Sequence, residues 1–142
     1  MSHRPADEVI LILYVRDQQA ARDFYASALG IAPDLDVPGM TEFAILPGVR
    51  IGLMPETGIA RLITPPLPHP AQGAGIPRCE LYLRVDDVDA AYARALQAGA
   101  SPVSPPASRD WGEHVGHLSD PDGHVLAFAR RMPASEEQPE SG

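Results

Sequence analysis

A chain of 142 residues, 44% hydrophobic and 21% charged, has the size and balance of one globular domain. Its formal net charge of -8 makes a surface that repels phosphate backbones, which excludes nucleic acid as the partner. No apolar run approaches the ~18 residues a membrane span requires; all eleven cations are Arg, which excludes Lys chemistry, and the lone Cys79 excludes an intrachain disulfide or a cysteine metal cluster.

Residues Met1 to Glu8 form an N-terminal arm without the basic-then-apolar layout of a signal peptide, so a cytoplasmic protein is expected. Val9 to Val15 reads as a strand ending at Arg16-Asp17, with Asp17 as the N-cap of a helix. Ala21, Phe24, Tyr25, Ala28 and Leu29 then recur at amphipathic spacing, and Gly30 is the stop. After a Pro/Gly/Asp loop, Thr41 to Leu46 and Arg50 to Glu56 form a hairpin across Pro47-Gly48. Ile59 to Arg78 holds Pro65, Pro66, Pro68, Pro70 and Pro77, and is expected to run as an extended connector.

The plan then repeats. Cys79 to Val85 is a strand ending in Asp86-Asp87, and a helix follows with Val88, Ala91, Tyr92, Ala95 and Leu96 on one face and Gly99 as its stop. Ser101 to Ser104 is a short strand before Pro105-Pro106. Glu113 to Ser119 and His124 to Arg130 flank the turn Asp120-Pro121-Asp122-Gly123, which resembles part of a calcium loop but lacks its other spaced carboxylates. The spacing from Asp17 to Gly30 nearly equals that from Asp87 to Gly99, so one unit occurs twice. Module one covers about 9–58, the connector 59–78 and module two about 79–131; the acidic tail 132–142 is expected to be disordered. Cys79 is expected to be a small buried hydrophobe.

Val15-Arg16-Asp17 with Phe24-Tyr25 and Leu29-Gly30 resembles the first-module signature of the vicinal-oxygen-chelate superfamily, which includes glyoxalases, bleomycin-resistance proteins and extradiol dioxygenases. Val85-Asp86-Asp87-Val88-Asp89-Ala90-Ala91 with Gly99-Ala100 resembles the second-module counterpart, and Trp111-Gly112 with Asp120-Pro121-Asp122-Gly123-His124 is similar to the final hairpin. The resemblance implies an α+β fold of two βαβββ modules: a curled mixed sheet around a cleft, with the helices outside. It also implies dimerisation, with clefts often completed by a second subunit.

Metal-using members place one ligand on each of four strands. In this sequence those positions fall on Ile10, Gly52, Glu80 and Ala127. Three of the four lack a lone pair for a divalent cation, so no metal cofactor is expected, and neither the glyoxalase I nor the dioxygenase reaction carries over.

Strand alternation supplies the cleft-facing set independently. It comprises Ile10, Ile12 and Tyr14; Gly52, Met54 and Glu56; Glu80, Tyr82 and Arg84; Val125, Ala127 and Ala129; and Glu113, Val115 and His117. Glu80, Tyr82 and Arg84 make a polar row that either orients a ligand or is satisfied by pairing Arg84 with Glu80 or Glu113. Trp111 sits on the rim, where it either stacks on a flat ligand or plugs the barrel edge. His114 falls on the helix side, His124 lies beside the turn, and His3 and His69 lie in mobile segments.

Four functions follow. The first is a metal-free binder of a small molecule, of the drug- or metabolite-sequestering kind. The second is a metal-independent lyase, isomerase or hydrolase using His117 with Glu80 or Tyr82. The third is a glyoxalase-like enzyme with a displaced metal on Glu80, Glu56 and His117. The last is partner binding through the proline-rich connector in a homodimer.

Overall fold

The computed structural model describes residues 4–133, which divide into two compact units at Ala74/Gly75, with Ser27–Leu29 grouped with the second. His3 and the tail from residue 134 onward lie outside the described residues. Among the described residues no helix is long and apolar enough to cross a membrane.

In the first unit the order is β1 (Val9–Val15), α1 (Gln18–Leu29), β2 (Leu35–Val37), β3 (Met40–Leu46), β4 (Val49–Pro55) and α2 (Glu56–Ile63). The sheet runs β1-β4-β3-β2, with β1 and β4 parallel and the rest antiparallel. The second unit repeats it: β5 (Glu80–Arg84), α3 (Val88–Ala98), β6 (Ser101–Ser108), β7 (Glu113–Ser119) and β8 (Val125–Arg131), in the order β5-β8-β7-β6 with β5 and β8 parallel. The two four-stranded sheets share one topology, and neither closes into a barrel.

The repeat is built by the same local chemistry. Asp17 accepts the Ala20 N–H at 3.0 Å and Asp87 the Ala90 N–H at 3.0 Å, each filling one orphan donor of a first helical turn. Each helix ends on a glycine in the left-handed region, Gly30 at φ 70° and Gly99 at φ 114°.

Alternation holds on the sheets. In unit one Leu13, Val15, Thr41, Phe43, Ile51 and Leu53 are buried, and the register places Thr41, Leu53 and Leu13 side by side on one face. Gln18 at the head of α1 reaches that face, donating to Thr41 Oγ1 and the Val37 carbonyl, both at 2.8 Å. Thr41 in turn donates to Asp36 Oδ1 at 2.9 Å, so a fully buried hydroxyl is satisfied. In unit two α3 lies on the face of Gly116, Leu118, Leu126 and Phe128. A Cβ on Gly116 would meet Tyr92 Cδ2 at 2.7 Å and Pro106 Cγ at 2.9 Å, so only glycine admits the Tyr92 ring there.

Several expectations need correction. The segment 59–78 is not an extended connector: Glu56–Ile63 is helix α2 with Ile59 and Ala60 buried, and Pro70–Gly73 is a 3-10 turn. A proline restrains itself and the residue before it, so Pro65 forces only Thr64 out of helix (φ -114°, ψ 117°) and leaves Ile59 to Ile63 free to coil. Pro70 opens its turn, the one helical position where a missing N–H costs nothing, with His69 Nδ1 accepting from the Ala71 N–H at 3.1 Å. Glu56, assigned to the strand, therefore begins α2. The loop after Gly30 contains the short strand β2, made by pairing with β3. Cys79 is exposed, and Leu96 lies at the margin of the α3 face, 38% exposed.

Strand β6 continues through Pro105-Pro106 to Ser108, twice the expected length, because it is an edge strand with register shifts at its prolines. Prolines cannot donate to β7. Arg109 does so instead: its Nη2 bonds the Val115 carbonyl at 2.8 Å, the Pro105 carbonyl at 3.0 Å and Ser104 Oγ at 2.9 Å. The Asp120 to Gly123 segment is a turn, with Asp120 Oδ1 accepting from the N–H of Asp122 at 2.9 Å and of His124 at 2.8 Å.

Candidate functional site

The residues expected to face a ligand sit on two sheets. On the first, the register puts Ile10 beside Arg50, Ile12 beside Gly52 and Tyr14 beside Met54, all on the face opposite the buried Leu13 and Val15. A Cβ on Gly52 would stand 2.7 Å from Ile12 Cδ1, 3.3 Å from Met40 Sδ and 3.4 Å from Ile10 Cγ2. The space a ligating side chain would leave from is filled by hydrocarbon and thioether. Arg50 on the same face is held by Glu8 at 2.8 Å and by Asp34, which raises its pKa and lowers that of Asp34.

The second sheet concentrates the polar groups. Tyr82, Ala127 and His117 stand side by side across β5, β8 and β7, as do Arg84, Ala129 and Val115. Because β8 contributes alanines at these two levels, the long side chains of β5 and β7 close over it. Val115, Ala127 and Ala129 are fully buried, with Tyr82 packed on them. Over that floor runs a chain of hydrogen bonds. Arg84 clamps Glu113 through Nη2 at 2.7 Å and Nε at 3.2 Å, the Tyr82 hydroxyl donates to Glu113 Oε1 at 2.7 Å, and Trp111 Nε1 donates to the Tyr82 oxygen at 3.0 Å. Arg84 Cζ also lies 5.6 Å from the Tyr82 ring centre.

Trp111 reaches Tyr82 from the tight turn between β6 and β7. Arg109 N–H bonds the Glu113 carbonyl at 2.8 Å, and Gly112 at φ 83° supplies the left-handed residue the turn requires. Trp111 remains 57% exposed. His117 Nε2 lies 3.7 Å from Glu80 Oε1, and His114 lies on the helix side, 3.8 Å from Asp89 of α3.

The electrostatics follow from the contacts. The Arg84 guanidinium, helped by the Tyr82 hydroxyl, holds the Glu113 carboxyl below its ordinary 4.5. Burial pushes the Tyr82 hydroxyl up, Glu113 adds to this, and the Trp111 N–H opposes it. Since the folded pKa of Glu113 lies below its unfolded value, the stabilisation is present above about pH 4.5 and is lost as pH falls through the folded value. Urea titrations between pH 7 and pH 3 are expected to show the stability gap between wild type and Glu113→Gln shrinking with acid; a constant gap would refute this.

Among the sequence-derived candidates, the fold gathers Tyr82, Arg84, Trp111 and Glu113 into one network and Glu80 with His117 into another. Glu56 is removed to a helix. The choice between Glu80 and Glu113 as the partner of Arg84 falls to Glu113. The hydrogen bond of Trp111 to Tyr82 had no signal in the sequence, because a turn residue and a mid-strand residue meet only through the sheet.

The profile of the Glyoxalase/Bleomycin resistance protein/Dioxygenase superfamily matches residues 8–128. The chain belongs to that superfamily. It is 33% identical over 115 residues to the uncharacterized protein Mb0911c of Mycobacterium bovis, covering 79% of this chain and 75% of that one. It is 35% identical over 105 residues to the anthracycline biosynthesis protein DnrV of Streptomyces peucetius, covering 73% of this chain but only 34% of that one. Its fold matches a glyoxalase/bleomycin resistance protein/dioxygenase family enzyme from Burkholderia phytofirmans with a TM-score of 0.76 at 20% identity, covering 89% of this chain and all of that one.

The four positions at which the resemblance places metal ligands do not suit a metal in this chain. Ile10, Gly52 and Ala127 offer no lone pair, and the Gly52 position is closed by Ile12. Among the described residues no group of three or more His, Cys, Asp or Glu is placed to hold a metal, which leaves the displaced site on Glu80, Glu56 and His117 without support.

Proposed function

We propose that this superfamily member binds a small flat aromatic molecule without a metal, as a sequestering protein. The observation that carries the reading is Trp111: an indole more than half exposed, yet held in place by a hydrogen bond to a buried-anchored network. An exposed Trp fixed in position by a hydrogen bond is a ready stacking surface. Members of the superfamily bind small molecules, and the name of the Streptomyces relative points to polycyclic aromatic chemistry. Glu80 and Arg84, at either end of the β5 row, supply polar contacts of opposite charge.

Trp111 is the sole Trp, so its fluorescence reports on the site directly. Titration with an anthracycline and a panel of flat aromatic metabolites is expected to give a saturable change with at least one compound. Silence in both fluorescence and calorimetry across the panel would sink the reading. Metal analysis after mild dialysis is expected to find well under one equivalent; a retained equivalent would overturn the metal-free part. Homodimerisation, expected from the resemblance, belongs to the same reading, with solution mass as its check.

The contact of His117 with Glu80 favours a second reading, metal-independent proton transfer on a bound ligand. Tyr82 is a poorer partner, since its hydroxyl is committed to Glu113 and Trp111. This reading predicts a pH-dependent turnover lost in His117→Ala with the fold intact.

A further inference from the structure

The direction of the hydrogen bonds under Trp111 says which rings it stacks on best. A carboxylate only accepts, so the Tyr82 proton must point to Glu113 Oε1, 2.7 Å away. The phenol oxygen then faces Trp111 Nε1 with a lone pair, at 3.0 Å. Each donation shifts electron density back toward its donor, and linked bonds reinforce one another. The indole therefore stands at the electron-rich end of a relay whose far end is an anion. Arg84 keeps that anion in place through Nε and Nη2 and leaves Nη1 for an acceptor on a ligand. The guanidinium lies 5.6 Å from the centre of the Tyr82 ring, and the indole is bonded to the hydroxyl of that same residue. The indole N–H itself is already used, so Trp111 offers a π face and no donor.

We propose that the site selects electron-poor flat rings of the quinone class carrying an anionic or acceptor group for Arg84, with Tyr82 and Glu113 as positioning residues that enrich the indole. This rests on the flat-aromatic reading above and adds the electronic character of the ligand. A site made only of apolar area would not discriminate rings of equal shape. A face polarised by a carboxylate does.

The test uses two probes of matched outline, anthraquinone-2-sulfonate and anthracene-2-sulfonate, titrated calorimetrically into the full-length protein. The quinone is expected to bind roughly five-fold tighter, the scale of an oriented aromatic pair beyond its buried area. Equal affinity, or preference for anthracene, overturns this inference and leaves the flat-aromatic reading standing. If neither probe binds, this inference falls, while the flat-aromatic reading is decided by the anthracycline and metabolite panel. Tyr82→Phe removes the relay while keeping the ring, and is expected to bring the two affinities together; an unchanged ratio in a folded variant overturns the relay as the cause. Should that variant not fold, the wild-type quinone complex decides: a long-wavelength charge-transfer absorption from the stacked indole supports the proposal, and its absence refutes it.

Discussion

Trp111→Ala is expected to weaken binding of a flat aromatic ligand by about thirty-fold, the scale of a central aromatic anchor, while leaving the protein folded. Both halves follow from its position. Trp111 is 57% exposed, so its removal opens no core cavity, and its turn is held by the Arg109 and Gly112 backbone. A surface substitution of this kind shifts stability by about 0.5 kcal/mol or less. Trp111→Phe retains a stacking face and is expected to lose roughly three-fold. Calorimetric titration beside a thermal melt checks both, and wild-type affinity in Trp111→Ala would remove the indole from the site. The released Tyr82 oxygen is open to water in that variant, so no buried polar group is orphaned.

Gly116→Ala is expected to destabilise the protein by about 2–3 kcal/mol, the cost of overpacking a filled interior, whereas Gly52→Ala should cost about 1 kcal/mol or less. The closest approach at both sites is 2.7 Å, yet the neighbours differ in kind. At Gly116 the new methyl meets the Tyr92 ring and the Pro106 ring, two rigid groups. Tyr92 is further fixed by its hydroxyl on the His117 carbonyl, at 3.3 Å. At Gly52 it meets Ile12 Cδ1, the free end of a side chain that can change rotamer. Denaturant unfolding of both variants separates the cases, and equal losses would refute the distinction. The same comparison bears on function: if Ile12 yields easily, position 52 can be given a side chain without unfolding the sheet.

The repeat, its helices and the alternation of the strands were legible because each rests on local chemistry. Asp17 and Asp87 cap, Gly30 and Gly99 terminate, and the period of two separates Leu13 and Val15 from Ile12 and Tyr14. That Ile10, Gly52 and Ala127 carry no ligating side chain was legible for a similar reason, since it depends only on residue type. Misreadings arose where a local signal was extended beyond its reach. Prolines from Pro65 onward do not govern Ile59 to Ile63, which coil into α2, and prolines in β6 do not end an edge strand whose missing donors Arg109 replaces.

By itself, then, the sequence determined the repeated strand-and-helix unit and which face of its strands is apolar. Only the tertiary structure decided who meets whom. Arg84 chooses Glu113 over Glu80, and Trp111 finds Tyr82 across twenty-nine positions of chain. The physical reason lies in β8. Alanines at 127 and 129 leave the space in which side chains from the flanking strands converge, and that space exists only once three strands stand side by side.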